Sequence, residues 1–83
     1  MPIEQEVIMY TTEWCGQCRS VKAFLEKNQI AYREVDIDDD PEAAKRVTTI
    51  TGGYRSVPTL VLPDGTVLVE PGRRQLTEAF GQS

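Results

Sequence analysis

The hydrophobic residues of this chain follow two periods, one typical of strands and one typical of helices. Short apolar runs rich in β-branched and aromatic residues predict buried strands at residues 6–11, 31–37, 59–62 and 66–70. Apolar residues at helical spacing predict a helix from the Cys15–Cys18 pair to about Asn28, a second over residues 41–51 and a short third around 76–80. The predicted order is β-α-β-α-β-β-α, an α/β protein with a four-stranded mixed sheet and three helices.

Turn-forming residues mark the ends of these elements. Asp40 and Pro41 predict the N-cap and the first position of the second helix, and the glycine pair that begins at Gly52 predicts its end. The segment 63–65, Pro-Asp-Gly, predicts a hairpin between the last two strands.

Length and charge restrict the classes of function. The 83 residues fit one domain, predicted to span residues 1–83. The net charge is −4 and the Lys and Arg residues are dispersed, which argues against binding to nucleic acid or to an anionic membrane surface. Glu4 and Glu6 stand where a signal peptide would be basic, and no apolar stretch is long enough to span a membrane. We therefore expect a cytoplasmic protein.

The two cysteines, Cys15 and Cys18, are the strongest candidates for chemistry. Cytoplasmic cysteines are more often catalytic or metal-binding than structural, and the short loop between these two would stabilise the fold little as a disulfide. Histidine is absent, which excludes Cys–His catalysis and most mixed zinc sites. A closed zinc site needs four ligands, so we predict no metal site in one chain; a metal site shared between two chains, or an iron–sulfur cluster completed by a small thiol, stays open.

The position of the pair predicts different roles for the two thiols. Cys15 falls where the first strand gives way to the helix, and the helix N-terminus favours negative charge there, which stabilises a thiolate. Cys18 falls one turn further, on the core face, and should be less exposed with a higher pKa. We predict that Cys15 is the attacking nucleophile and Cys18 the resolving thiol.

A second candidate element is the segment Ser56-Val57-Pro58, just before the third strand. An X-Pro bond here is a candidate for the cis isomer. A loop facing the cysteines would offer the main-chain N–H and C=O of Val57 to a bound thiol chain, like a short added strand. The alternative is a proline that starts a strand on a trans bond.

Four further side chains are candidate substrate-binding residues. Trp14 would be a lid or docking surface beside the nucleophile, or else packing on the strand end, and Gln17 lies between the two cysteines. Arg55 and Arg73, with Arg74, fall in predicted loops near the cysteines and would bind the carboxylates of a small thiol; solvated surface charge is the alternative. The acidic run 38–40 is interpreted as a solvated turn with a helix cap.

With these residues in view, the chain resembles the glutaredoxin family over nearly its full length. The likeness lies in residues 9–18, in residues 34–38, and in residues 52–59 with their Val-Pro-Thr ending. The resemblance implies a thioredoxin fold and a thiol–disulfide oxidoreductase with a redox-active disulfide and no bound cofactor. It also implies a low-molecular-weight thiol as co-substrate and roles in electron transport and cell redox homeostasis.

Two segments differ from ordinary glutaredoxins. Thr12 and Glu13 stand where a Lys is often found, and residues 70–74 replace the Gly-Gly-x-Asp segment that usually holds the γ-glutamyl group. The pattern Trp-Cys-Gly-x-Cys with Gly-Gly-x-Arg-x-Val-Pro-Thr is most similar to mycoredoxins, bacterial glutaredoxin-like proteins that use a different small thiol. The expected co-substrate is therefore glutathione, mycothiol or a similar thiol.

Three hypotheses about function follow from the resemblance. In the preferred one, the protein reduces protein disulfides or protein–small-thiol mixed disulfides with electrons from a small thiol. In the second, it is a dithiol electron donor reduced by thioredoxin reductase, like the redoxins that feed ribonucleotide reductase. In the third, it carries an iron–sulfur cluster. The expected partners are disulfide-containing proteins and the small thiol or the reductase, without nucleic acid or membrane.

Overall fold

The computed structural model describes residues 6–80, in which seven elements follow one another in the predicted order. The strands are β1 (Val7–Thr11), β2 (Tyr32–Asp36), β3 (Thr59–Val61) and β4 (Val67–Val69), and the helices are α1 (Gly16–Lys27), α2 (Pro41–Thr51) and α3 (Arg73–Phe80). Four strands form one mixed sheet with three helices, so the predicted α/β class is confirmed. Both ends of the predicted 1–83 domain, and most of the acidic N-terminus, lie outside the described residues.

Helix α1 begins inside the cysteine pair, at Gly16, with Cys15 as its N-cap. The Cys15 backbone is extended, with φ −86° and ψ 110°, and its sulfur accepts the Cys18 N–H, a bond that a Ser, Thr or Asp oxygen makes at most N-caps. Cys18 lies on the core face of α1, as predicted, and Val21 and Leu25 are buried on the same face. No helix within residues 6–80 is long and apolar enough to cross a membrane.

Both predicted ends of α2 are confirmed. The Asp40 side chain accepts the Glu42 and Ala43 main-chain N–H groups at 3.1 and 3.2 Å, and Pro41 is the first helical residue. Gly52 ends the helix in a left-handed conformation with φ 85°, which a residue without Cβ adopts at little cost.

The sheet has the strand order β2-β1-β3-β4. β1 pairs in parallel with β2 and antiparallel with β3, and β3 pairs antiparallel with β4 in the predicted hairpin. All four strands are shorter than predicted because each ladder ends with its partner: β1 and β2 share five pairs, and β3 and β4 share three.

Alternate residues of β1 face two separate hydrophobic clusters, as expected for a strand between helical layers. Val7 and Met9 pack with residues of α1 and α3, and the buried members of this cluster are Val7, Met9, Val21, Leu25, Leu60, Leu62 and Leu76. Tyr10 packs on the other face with Ala43 and Val47 of α2. The helices therefore cover both faces of the sheet and leave its end at the carboxyl terminus of β1 for the site.

Candidate active site

Three loops meet at one end of the sheet. Because β1 and β3 are antiparallel neighbours, with Tyr10 opposite Thr59, the loop that follows β1 lies beside the loop that precedes β3. The first carries Cys15 and the second carries Val57 and Pro58. The loop between β4 and α3 joins them, since the Glu70 N–H donates to the Pro58 carbonyl at 2.7 Å.

The two thiols are close but occupy different environments. Both are free, and the Cys18 main-chain N–H donates to the Cys15 sulfur at 3.1 Å. Cys15 is 7% exposed and Cys18 is 2% exposed, so the predicted order of exposure is confirmed. The amides of the first turn of α1 and the dipole of the helix favour a negative charge on Cys15.

Burial raises the pKa of the Cys18 thiol from its ordinary value of 9.0 to about 11, and a hydrogen bond between the Cys18 and Cys15 side chains adds to the rise. Hydrogen bonds from the Thr11 side chain and the Thr12 main chain lower the Cys18 pKa, but they do not outweigh burial. Cys18 is therefore a neutral thiol at neutral pH.

The loop before β3 contains the predicted cis bond, between Val57 and Pro58. The Cys15 thiol donates to the Val57 carbonyl, with 3.8 Å between sulfur and oxygen. In the described part of the chain, the Val57 N–H has no hydrogen-bond acceptor. The Thr59 hydroxyl ties the same loop to the Ser56 carbonyl at 2.7 Å. The Val57 carbonyl thus lies next to the candidate nucleophile, and the N–H of the same residue is available to a partner.

Trp14 projects into solvent beside Cys15 and is held by Asp38, a residue of the acidic run that was predicted to be a solvated turn with a helix cap. Its side chain is 73% exposed, which rules out packing on the strand end, and its indole N–H donates to Asp38 Oδ2 at 3.0 Å. The other carboxylate oxygen of Asp38 lies 3.5 Å from the Arg55 guanidinium. Asp38 is therefore more than part of a solvated turn.

The remaining candidates lie on a different side of the cysteines. The Gln17 amide donates to the main-chain carbonyls of Glu70 and Pro71 at 3.2 and 3.3 Å, which ties α1 to the loop before α3. Gln17 and Arg73 line a groove of about 820 Å³ between α1 and α3. Arg74 lies along α3 and pairs with Glu78 at 3.9 Å. Both arginines are in the first turn of α3 and not in a loop as predicted, whereas Arg55 pairs with Asp38.

Between residues 6 and 80 no group of three or more His, Cys, Asp or Glu side chains is placed to hold a metal ion.

Known proteins resemble this chain along most of its length. The glutaredoxin family model matches residues 7–68. A protein of Mycobacterium tuberculosis named as a glutaredoxin is 45% identical over 69 residues, 83% of this chain and 82% of that protein. Mycoredoxin 1 of Corynebacterium glutamicum is 38% identical over 65 residues, 78% of this chain and 80% of its own. The glutaredoxin-like protein NrdH of Lactococcus lactis is 36% identical over 58 residues, 70% of this chain and 78% of its own.

Solved structures that superimpose on this chain include a thioredoxin-like protein and a glutaredoxin. The thioredoxin-like protein BC3987 superimposes with a TM-score of 0.78 at 34% identity, covering 88% of this chain and 97% of that one. The glutaredoxin of Archaeoglobus fulgidus gives a TM-score of 0.79 at 25% identity, covering 92% of this chain and 86% of that one. The fold is thus a thioredoxin fold, and the chain belongs to the glutaredoxin family of thiol–disulfide oxidoreductases.

Proposed function

We propose that this oxidoreductase reduces protein disulfides, and mixed disulfides between proteins and small thiols, with electrons from a low-molecular-weight thiol such as glutathione or mycothiol. One observation carries the proposal. The Cys15 sulfur lies at the N-terminus of α1, 3.1 Å from the Cys18 N–H, and faces the Val57 main chain at 3.8 Å. The cytoplasm is the compartment we propose, since small-thiol pools keep cysteines reduced there.

In the first step, the Cys15 thiolate attacks one sulfur of the substrate disulfide. A bond forms between Cys15 and that sulfur, the substrate S–S bond breaks, and the departing thiolate takes a proton from water. The Val57 N–H and carbonyl hold the chain of the attacked sulfur, which places its disulfide against Cys15. The Cys15 thiol gives up its hydrogen bond to the Val57 carbonyl when it ionises, and this frees the carbonyl for substrate.

The second step has two routes. When the substrate is a mixed disulfide, Cys15 takes the small thiol, and a second small-thiol molecule attacks that sulfur, which releases their symmetric disulfide and the Cys15 thiolate. When the substrate is a protein disulfide, the Cys18 thiol loses its proton and attacks Cys15, which releases the second substrate thiol. The Cys15–Cys18 disulfide is then reduced by two small-thiol molecules.

We assign the binding of the small thiol to the residues around Val57 and Pro58. Gln17 and Arg73 lie on one side, where the Arg73 guanidinium is exposed and suited to a carboxylate or a hydroxyl-rich group. Trp14 and Arg55 lie on the other side, where the exposed indole offers a flat apolar surface to a partner protein.

A second candidate function is that of a dithiol electron donor reduced by thioredoxin reductase. It is supported by the likeness to the NrdH proteins of Lactococcus lactis and by the exposed Trp14 beside Cys15. In that function each turnover passes through the Cys15–Cys18 disulfide, so Cys18 is indispensable.

The experiment that separates the two measures turnover of a peptide–small-thiol mixed disulfide with either regenerating system. With small thiol, glutathione reductase or mycothiol reductase, and NADPH, we expect turnover by the wild type and by Cys18→Ser, and none by the control Cys15→Ser. With thioredoxin reductase and NADPH, we expect no significant reduction. Fast reduction by thioredoxin reductase together with loss of activity in Cys18→Ser would replace the proposal by the electron-donor function.

A further inference from the structure

Asp38 connects the two loops that flank the candidate nucleophile. We infer that Asp38 is a positioning residue of the thiol–disulfide reaction: through Trp14 and Arg55 it keeps the Cys15 and Val57 loops at the spacing that attack on a bound disulfide requires. The inference rests on the proposed function and extends it to a residue outside the family's cysteine pair and cis-proline segment.

The two oxygens of the Asp38 carboxylate have different partners. Oδ2 accepts the Trp14 indole N–H at 3.0 Å, and Oδ1 lies 3.5 Å from the Arg55 guanidinium. The carboxylate is itself held in place, because the Asp38 main-chain N–H donates to the Asp36 side chain at 2.8 Å. Asp36 ends β2, so the bridge is anchored to the sheet.

Both partners adjoin the reacting groups. Trp14 directly precedes Cys15, and Arg55 is two residues before Val57. Across residues 6–80, Asp38 is the one side chain that bonds to side chains of both loops. The Trp14 residue is 73% exposed and the Arg55 side chain 58% exposed, so packing restrains them little and the bonds to Asp38 decide where they lie.

Spacing matters because the attack has a strict geometry. The Cys15 thiolate forms its bond to the near substrate sulfur in line with the S–S bond that breaks, while the substrate chain is held on Val57. The departing thiolate takes up a proton from water. Cys18 then loses its proton and attacks the Cys15 sulfur, which releases the second substrate thiol and leaves the substrate reduced and the protein dithiol oxidised to the Cys15–Cys18 disulfide. A loop that drifts from its position lowers the fraction of bound substrate that is correctly aligned.

The test compares Asp38→Ala, Asp38→Asn and the neighbouring control Asp39→Asn. The reaction is a single turnover, in which prereduced protein reduces a fluorogenic peptide disulfide, so no regenerating system enters. We expect Asp38→Ala to lower the second-order rate constant about five-fold, the factor that corresponds to one net hydrogen bond. Asp38→Asn keeps an oxygen for the indole and should recover part of the rate, and Asp39→Asn should match the wild type.

A second readout follows the bridge itself. Trp14 is the single tryptophan, so its indole N–H gives one ¹⁵N–¹H signal. We expect this proton to move upfield and to exchange faster with water in Asp38→Ala, but not in Asp39→Asn. An unchanged indole signal and rate constant in Asp38→Ala, or equal losses in Asp39→Asn, overturn the inference. Failure of the wild type to reduce the peptide would overturn the proposed function instead, and the indole signal would still decide whether the bridge exists.

Discussion

The buried Cys18 thiol should make the reduced protein lose stability at alkaline pH. Its pKa is about 11 in the fold and near the ordinary 9.0 in the unfolded chain. Between these values the unfolded chain has lost a proton that the folded protein keeps, so a rise in pH favours unfolding. The stabilisation is complete below pH 9 and is lost as the pH rises through 11. At pH 10.5 the loss amounts to about 2 kcal/mol, since one pKa unit corresponds to about 1.4 kcal/mol.

The assay is urea unfolding at pH 8 and pH 10.5 with a phosphine reductant present, for the wild type and for Cys18→Ala. The variant loses a few contacts at both pH values, but it has no thiol at position 18 to titrate. A fall of about 2 kcal/mol beyond that of the variant corresponds to a midpoint shift of about 1 M urea or more. Parallel pH dependence of the two proteins would refute the claim that Cys18 is neutral in the fold.

Three further predictions test local features of the chain. Asp40→Ala removes the cap of α2 and should lower the free energy of unfolding by about 1 kcal/mol in urea titrations, whereas the control Asp39→Ala should not. Equal free energies of unfolding for the two variants would mean that the cap contributes nothing. Gly52→Ala should lower the free energy of unfolding by about 1 kcal/mol in the same assay, because φ is 85° at this position, although the new Cβ would meet no atom within 4 Å. An unchanged free energy of unfolding would show that the end of the helix relaxes. Brief iodoacetamide treatment at pH 7 should modify Cys15 and spare the neutral, buried Cys18, as read by peptide mass mapping; modification of both would contradict the proton assigned to Cys18.

Features encoded by neighbouring residues could be predicted from the sequence. The start of α2 at Asp40–Pro41 and its end at Gly52 depend on caps that bond to main-chain groups no more than four residues away. Both ends are confirmed. The ends of β2 and β4 could not be predicted, because a strand ends where its partner's ladder ends, and the partner is chosen by the sheet order.

Contacts in the site that join distant parts of the chain could not be predicted either. Asp38 looked like a turn residue because its partners are 24 and 17 positions away, and the bonds exist only once β2 lies beside β1. The contact from Gln17 to the Glu70 carbonyl spans 53 positions. A tryptophan directly before a candidate nucleophile, followed by an acidic run after the second strand, was the available signal for the Asp38 bridge.

The order of the strands also decides which part of the molecule opens last. β1 and β3 each have a neighbour on both sides, whereas β2 and β4 are the edges. Cys15 follows β1 and Pro58 precedes β3, so both halves of the site are attached to the inner strands. Fraying of a sheet starts at its edges and costs less than breaking its centre. Cys15, Cys18 and the Val57–Pro58 loop can therefore keep their places while the edge strands lose their order in local fluctuations, whereas the Asp38 bridge, which follows β2, is lost together with that strand.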